Sequence, residues 1–157
     1  MLEFQTLIDE HKEIYEVINK FKATQNSTNL FEILDRIKNL VNLLDKIINV
    51  HFASEEQIIF PKIKKQQDLI NCVLDEHKEI QHQKDLLEEL FNKYNTNPTN
   101  IAYEALTRQA NSIADTLYNH AYAEDVTLFA FAGIELSQQE KEILAEELAK
   151  LSCRSNL

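Results

Sequence analysis

The hexapeptide Asp-Glu-His-Lys-Glu-Ile occurs twice in this chain, at Asp9–Ile14 and again at Asp75–Ile80. Each copy is followed by a related longer segment, His51–Phe60 or His120–Phe129, that begins with His-x-x-x-Glu and ends in phenylalanine. Four of the five histidines belong to this repeat. The chain therefore consists of two tandem units, and its fold has to accommodate the same histidine and glutamate pattern twice.

Composition restricts both the fold class and the partners. One glycine, two prolines and no tryptophan among 157 residues provide few residues for the turns of an all-β fold, so we expect an all-α protein. The length suits a single domain over residues 1–157. A net charge of −10 without a cluster of Lys or Arg argues against nucleic acid as a partner.

Apolar residues recur every three or four positions, which is the period of an amphipathic helix. In the first unit this pattern places His11 on the buried face of a first helix. It places His51 and Glu55 on the buried face of a second helix. Pro61 predicts that the second helix ends near Phe60.

The second unit repeats this arrangement. His77 lies on the apolar face of a third helix, and His120 and Glu124 lie on that of a fourth, for which Gly133 is the predicted C-terminal cap. Ser137–Glu140 matches a capping box and predicts a short fifth helix over about residues 137–151.

Short loops between helices of similar length predict an up-down-up-down four-helix bundle over about residues 1–132, followed by the short C-terminal helix. In such a bundle the lone histidines and the His-x-x-x-Glu pairs lie at the same end. Residues four apart are neighbours on a helix, so both members of each pair face the core. Six side chains are therefore predicted to form one buried layer, namely His11, His51, Glu55, His77, His120 and Glu124.

This layer requires a cation, because two facing buried carboxylates would otherwise repel each other or take up protons. We therefore predict that the six side chains are metal ligands. The fifth histidine, His82, is turned away from His77 on an ideal helix and is assigned to the surface. Glu56 is assigned to a charged helix face.

The order of lone His, His-x-x-x-Glu, lone His, His-x-x-x-Glu, with Pro61 after the first pair, resembles the hemerythrin-like, or HHE cation-binding, domain over about residues 1–132. The resemblance implies a non-haem di-iron centre in a four-helix bundle. It implies that the four histidines are terminal ligands, that Glu55 and Glu124 bridge the two ions, and that an oxo or hydroxo group completes the bridge. Zinc and manganese remain alternatives, because imidazole and carboxylate accept either metal.

The chain departs from the oxygen-carrying members of this family at one place, and at another it offers two candidates for the same role. They have a second histidine one turn after the third-helix histidine, where this chain has Gln81. They also end in His-x-x-x-x-Asp, which His120 and Asp125 satisfy, so Asp125 is an alternative to Glu124 as the second bridge. The repeated spacing favours Glu124. Tyr15 and Gln81, each one turn after a lone histidine, are candidates for an additional ligand or for a contact behind the ligands.

A missing histidine leaves one more open coordination position than an oxygen carrier needs, which favours reaction with a small molecule over reversible storage. The sequence thus predicts a di-iron protein that binds or reacts with O₂, NO or peroxide, and an oxidoreductase if it is an enzyme. The alternative is an iron- or oxygen-responsive regulatory module that a protein partner reads, as in some relatives. We find no signal-peptide pattern and no apolar run long enough for a bilayer, so we expect a cytoplasmic protein without membrane contact.

Overall fold

The computed structural model describes residues 4–155, with side chains described up to residue 151. Within this range every regular element is a helix, as the sequence predicted. Two of the long helices combine α-helical and π-helical parts. The elements are α1 (Gln5–Lys22), α2 (Leu30–Lys46, with π-helical parts Ile47–Phe52 and Glu55–Ile59 and a 3₁₀ turn Phe60–Lys62), α3 (Gln67–Thr96), α4 (Asn100–Ala123, with a π-helical part Glu124–Leu128 and an α-helical end Phe129–Glu135) and α5 (Gln138–Ser155).

Polar side chains fix the starts of three helices. The Asn29 side chain accepts a hydrogen bond from the backbone N–H of Glu32 at α2, and Thr99 caps α4 in the same way. The predicted capping box at α5 is confirmed. The Ser137 N–H donates to Glu140 Oε2 at 2.7 Å, and the Glu140 N–H donates to Ser137 Oγ at 3.2 Å.

The predicted cap at Gly133 is wrong. The helix continues through Gly133 and ends at Glu135, after which Leu136 adopts an extended backbone with φ −79° and ψ 137°. The termination therefore needs no residue with a left-handed conformation, and no described residue has a positive φ.

The four long helices form the predicted antiparallel bundle. Each of α1 to α4 packs against its two neighbours in the order α1, α2, α3, α4 and back to α1. The shorter α5 lies against the C-terminal part of α2. This arrangement confirms the expectation of an all-α bundle followed by a C-terminal helix.

The apolar core is divided into two clusters. The larger cluster contains Ile14, Ile80 and Leu117 and fills most of the bundle. The smaller cluster contains Leu7, Leu128 and residues of α5 such as Leu144, and it closes one end of the bundle. On α1, His11 lies between Leu7 of the smaller cluster and Ile14 of the larger one.

The other histidines of the repeat have the same relationship to the two clusters. On α3, His77 lies between Val73 of the smaller cluster and Ile80 of the larger one. The polar layer predicted from the sequence is therefore enclosed on both sides by apolar side chains. Across the described residues, no helix combines the length and the apolar character that a membrane crossing requires.

Candidate metal centre

The six predicted ligands are all buried. Their exposed fractions lie between 0% and 4%, although every one of them is polar or ionisable. Such burial is costly unless the polar atoms find partners. The structure brings together all six side chains of the predicted layer, namely His11, His51, Glu55, His77, His120 and Glu124.

One half of the layer is formed by α1 and α2 with a carboxylate from α4. The Nε2 atoms of His11 and His51 lie 3.0 Å apart. His51 Nε2 lies 3.2 Å from Glu55 Oε1, and His11 Nε2 lies 3.5 Å from Glu124 Oε1. These four side chains offer ligand atoms within 4.8 Å of one another, which is a geometry that can hold one ion.

The other half is formed by α3 and α4 with a carboxylate from α2. His77 Nε2 lies 3.1 Å from Glu55 Oε2, and His120 Nε2 lies 3.0 Å from Glu124 Oε1. These side chains form a second group of four, again within 4.8 Å. Glu55 and Glu124 belong to both groups, so each carboxylate lies where it can serve two neighbouring ions.

The donor set fits a cation because the inward-facing atoms lack other partners. Both carboxylate oxygens of Glu55 and of Glu124, and the Nε2 atoms of His77 and His120, are buried without a hydrogen-bond partner among the described residues. The separations of about 3 Å between these atoms do not have the angles of hydrogen bonds. Imidazole nitrogen and carboxylate oxygen are ligands that zinc, iron and manganese accept, and a cation would satisfy all six atoms.

The backbone of both His-x-x-x-Glu segments departs from the α-helix that periodicity predicted. His51 lies in the π-helical part Ile47–Phe52, Glu55 begins the part Glu55–Ile59, and Glu124 begins the part Glu124–Leu128. A π-helical turn is wider than an α-helical turn and often occurs at a functional site. Apolar periodicity contains no signal for these turns, so the sequence did not predict them.

A carboxylate lies behind each paired histidine. The Nδ1 atom of His51 is hydrogen bonded to Glu10, and Nδ1 of His120 lies 2.6 Å from Glu76 Oε2. Both glutamates come directly before a lone histidine in the repeated hexapeptide. Sequence reasoning missed their role, although the recurrence of Glu beside His in both copies was a signal for it.

The lone histidines are supported in the same way. Nδ1 of His11 lies 2.7 Å from Asp125 Oδ1, and Nδ1 of His77 lies 2.7 Å from Glu56 Oε1. The assignment of Glu56 to a charged helix face is therefore incomplete, because its carboxylate reaches back to a buried histidine while 42% of the side chain remains exposed. Asp125 also lies behind the layer, and Glu124 is the residue that belongs to both groups of ligand atoms.

These outer carboxylates fix the orientation of all four imidazole rings. A carboxylate accepts a hydrogen bond, so each Nδ1 atom carries the proton, and in the neutral ring the lone pair of Nε2 points into the layer. Stacked phenylalanines add to this constraint. The Phe129 ring lies 5.5 Å from His11 between centroids, and the Phe60 ring lies 6.0 Å from His77.

Without a cation the layer binds protons strongly. Burial lowers the pKa of His120, but the close contact with the Glu124 carboxylate and the hydrogen bond with Glu76 outweigh burial and raise the pKa to about 10. The pKa of His51 is also raised, because the charge of Glu55 and the hydrogen bond with Glu10 outweigh burial. Burial raises the pKa of Glu124, but contacts with Glu55, His11 and His120 hold it well below its usual range. The layer thus attracts positive charge, whether protons or metal ions supply it.

Tyr15 and Gln81 occupy equivalent places in the repeat but behave differently. The Tyr15 hydroxyl donates to Asp125 Oδ2 at 2.6 Å, so Tyr15 supports the carboxylate behind His11 and lies outside both groups of ligand atoms. Gln81 donates from Nε2 to Asp85 Oδ1 at 3.1 Å along its own helix. Its amide is thus directed away from the layer.

Comparison with known proteins agrees with this geometry. The family model of the hemerythrin HHE cation binding domain matches residues 3–132, a range that contains all six side chains of the layer. The sequence has no significant match among curated proteins. The chain belongs to the hemerythrin HHE cation-binding domain family.

Proposed function

We propose that the layer holds two iron ions and that the protein binds or reacts with a small molecule such as O₂, NO or peroxide. One observation carries this proposal. Glu55 and Glu124 each belong to both groups of four ligand atoms, which is the arrangement expected of carboxylates that bridge two ions. One ion would be held by His11 and His51, and the other by His77 and His120.

When bound, two neighbouring iron ions supply or accept electrons for a small molecule at the site. The chain contributes orientation and exclusion of water. The outer carboxylates hold the imidazoles with Nε2 inward, so little reorganisation accompanies metal binding. The apolar clusters on both sides, represented by Ile14 and Leu7, restrict water and strengthen electrostatic interactions within the layer.

The position of Gln81 supports reaction over simple storage. Its side chain is engaged with Asp85 and offers no ligand to the layer. The half of the layer that contains His77 therefore has two histidines and two shared carboxylates, which leaves coordination positions for a small molecule. If the protein is an enzyme, these open positions support an oxidoreductase that acts on O₂, NO or peroxide.

We also propose that residues 1–157 form one domain. Leu144 and Leu148 of α5 are buried in the same cluster as Leu7 and Leu128 of the bundle. An element that shares a core with the bundle is expected to fold with it.

Anaerobic titration of the metal-free protein with ferrous iron tests the metal assignment. Binding should saturate at two ions per chain, and Glu55→Ala or His120→Ala should abolish that stoichiometry. His82→Ala is the matched control, because His82 is exposed on α3 and lies outside the layer. Saturation at one ion, unchanged by either substitution, would refute the di-iron proposal. Stopped-flow mixing of the ferrous protein with O₂, peroxide or NO then identifies the reactant.

A further inference from the structure

The two halves of the layer are related by the repeat, yet they differ one turn after the lone histidine. Tyr15 follows His11, whereas Gln81 follows His77. Residues four apart lie on the same side of a helix, so both side chains start beside the outer edge of their histidine. The two halves of the layer therefore differ in the side chain that lies at the outer edge of the lone histidine.

On the His11 side, an aromatic ring occupies this place. The Tyr15 hydroxyl is hydrogen bonded to Asp125, which in turn holds Nδ1 of His11. The Tyr15 ring also packs against Tyr118 of α4, with 4.9 Å between ring centroids. Tyr15 thus joins α1 to α4 outside His11 and is half-buried there.

On the His77 side, the corresponding place is open. The Gln81 amide turns along α3 to Asp85. A cleft of about 450 Å³ lies between α2 and α3, with Gln81 on its wall. The cleft extends from the exposed rim to the buried ring of His77, and its other lining residues include Phe52, Ala53, Glu56 and Lys78.

The chemistry of this lining is mixed. Phe52 and Ala53 form an apolar surface, while Glu56 and Lys78 place opposite charges at the wall. Phe52 is buried at the inner end, where its ring stacks on His77 with 3.7 Å between centroids. A neutral molecule of a few atoms suits this lining, because the opposite charges of Glu56 and Lys78 offset each other and favour neither an anion nor a cation.

We propose that the cleft between α2 and α3 is the site where a small neutral molecule, such as O₂ or hydrogen peroxide, collects and gains access to the His77–His120 half of the layer. Tyr15 closes the equivalent path to the His11–His51 half. This proposal rests on the proposed function for its ligand class. The difference in access between the two halves rests only on the positions of Tyr15, Gln81 and the cleft.

Dissolved O₂ is paramagnetic and accelerates the relaxation of protons that it approaches, so NMR under O₂ pressure measures access directly. The experiment uses the full chain in its metal-free and zinc-loaded forms. In the native protein, the ring protons of Phe52 and His77 should show several-fold larger relaxation enhancement than those of His11 and Phe129. Equal enhancement on the two sides would overturn the proposal.

Two substitutions exchange the side chains of the repeat. Gln81→Tyr should fill the cleft and lower the enhancement at His77 to the value at His11. Tyr15→Gln should open the second path and raise the enhancement at His11. His82→Tyr is the matched control, because it adds the same ring at the next, exposed position of α3 and should leave the enhancement at His77 unchanged.

The outcomes separate this proposal from the metal assignment. An enhancement at His77 that persists in Gln81→Tyr overturns the access proposal, even if the protein binds two irons. Failure to bind iron refutes the proposed function but leaves the relaxation difference measurable in the metal-free chain. Far-UV circular dichroism of each variant verifies that the bundle is retained, and Tyr15→Gln provides an independent test if Gln81→Tyr does not fold.

Discussion

Glu76 Oε2 lies 2.6 Å from Nδ1 of His120. Glu76 comes directly before the buried His77 in the sequence, but its carboxylate supports the other buried histidine, His120. Glu10 has the same relationship to His51. Each copy of the hexapeptide thus supplies one inward-facing histidine and one glutamate that orients a histidine on a neighbouring helix. The repeat encodes contacts between helices as well as a set of ligands.

Replacing Glu76 by Gln should weaken metal binding by about 10- to 100-fold, because an amide is a poorer acceptor than a carboxylate for the imidazole N–H. Chelator competition with ferrous iron or zinc measures the affinity. Glu79→Gln is the matched control, since Glu79 belongs to the same hexapeptide but is exposed and accepts a hydrogen bond from Gln83 on its own helix. Equal affinities for the two variants would show that Glu76 does not support the ligand.

Metal affinity should fall as the pH is lowered. In the metal-free chain the pKa of His120 is about 10, above its ordinary value of 6.5, so this histidine holds a proton at neutral pH that a metal ion must displace. Binding should therefore release protons, which titration in a weakly buffered solution detects. The stability of the metal-free fold has the opposite pH dependence, since the contribution of His120 decreases as the pH rises. The contribution of His120 to stability is complete below 6.5 and is lost as the pH rises through about 10.

Proton release that is absent near neutral pH, together with an affinity that does not change between acid and neutral solution, would contradict this prediction. The His120→Ala variant is the control for the source of the protons. It lacks the nitrogen for which metal and proton compete, so any remaining release has to come from the other ligands.

Removal of the metal should lower the melting temperature substantially. The folded layer binds metal and the unfolded chain does not hold these side chains together, so saturating metal stabilises the folded state by mass action. Thermal denaturation followed by circular dichroism, with and without a chelator, measures this shift. In His120→Ala the chelator should have little effect. An unchanged transition in the native chain would mean that the layer holds no metal.

The C-terminal helix should contribute to the stability of the whole bundle. Leu144 is fully buried in the smaller apolar cluster, so Leu144→Ala should lower the free energy of unfolding by about 2 to 5 kcal/mol. Ile143, which is 44% exposed on the same helix, provides the control. Ile143→Ala should change the free energy of unfolding by no more than about 0.5 kcal/mol. Chemical denaturation measures both. Equal losses would show that α5 does not share the core.

The repeat made the bundle and the inner layer accessible to sequence reasoning. His51 and Glu55 are four residues apart on an apolar face, so their common direction follows from helix geometry alone. Pro61 marked the end of α2 because proline cannot continue a helix. Gly133 was misread because a glycine near the end of an apolar run also fits within a helix, and this helix ends two residues later, at Glu135.

What lies behind the layer could not be read in this way. Glu56 and Asp125 are polar residues at helix edges, and a sequence does not distinguish a carboxylate that faces solvent from one that turns back to a buried imidazole. That distinction depends on the distance between helices and on side-chain rotamers. The π-helical parts at His51, Glu55 and Glu124 likewise depend on how the helices meet at the layer.

The sequence by itself determined the helical class, the two-fold repeat and the six side chains of the layer, because periodicity and spacing act within single helices. Tertiary structure decided which carboxylates support the histidines and which half of the layer meets a cleft. Tyr15 and Gln81 occupy equivalent positions in the repeat. Only the packing of Tyr15 against Tyr118 and the turn of Gln81 toward Asp85 make one side closed and the other open.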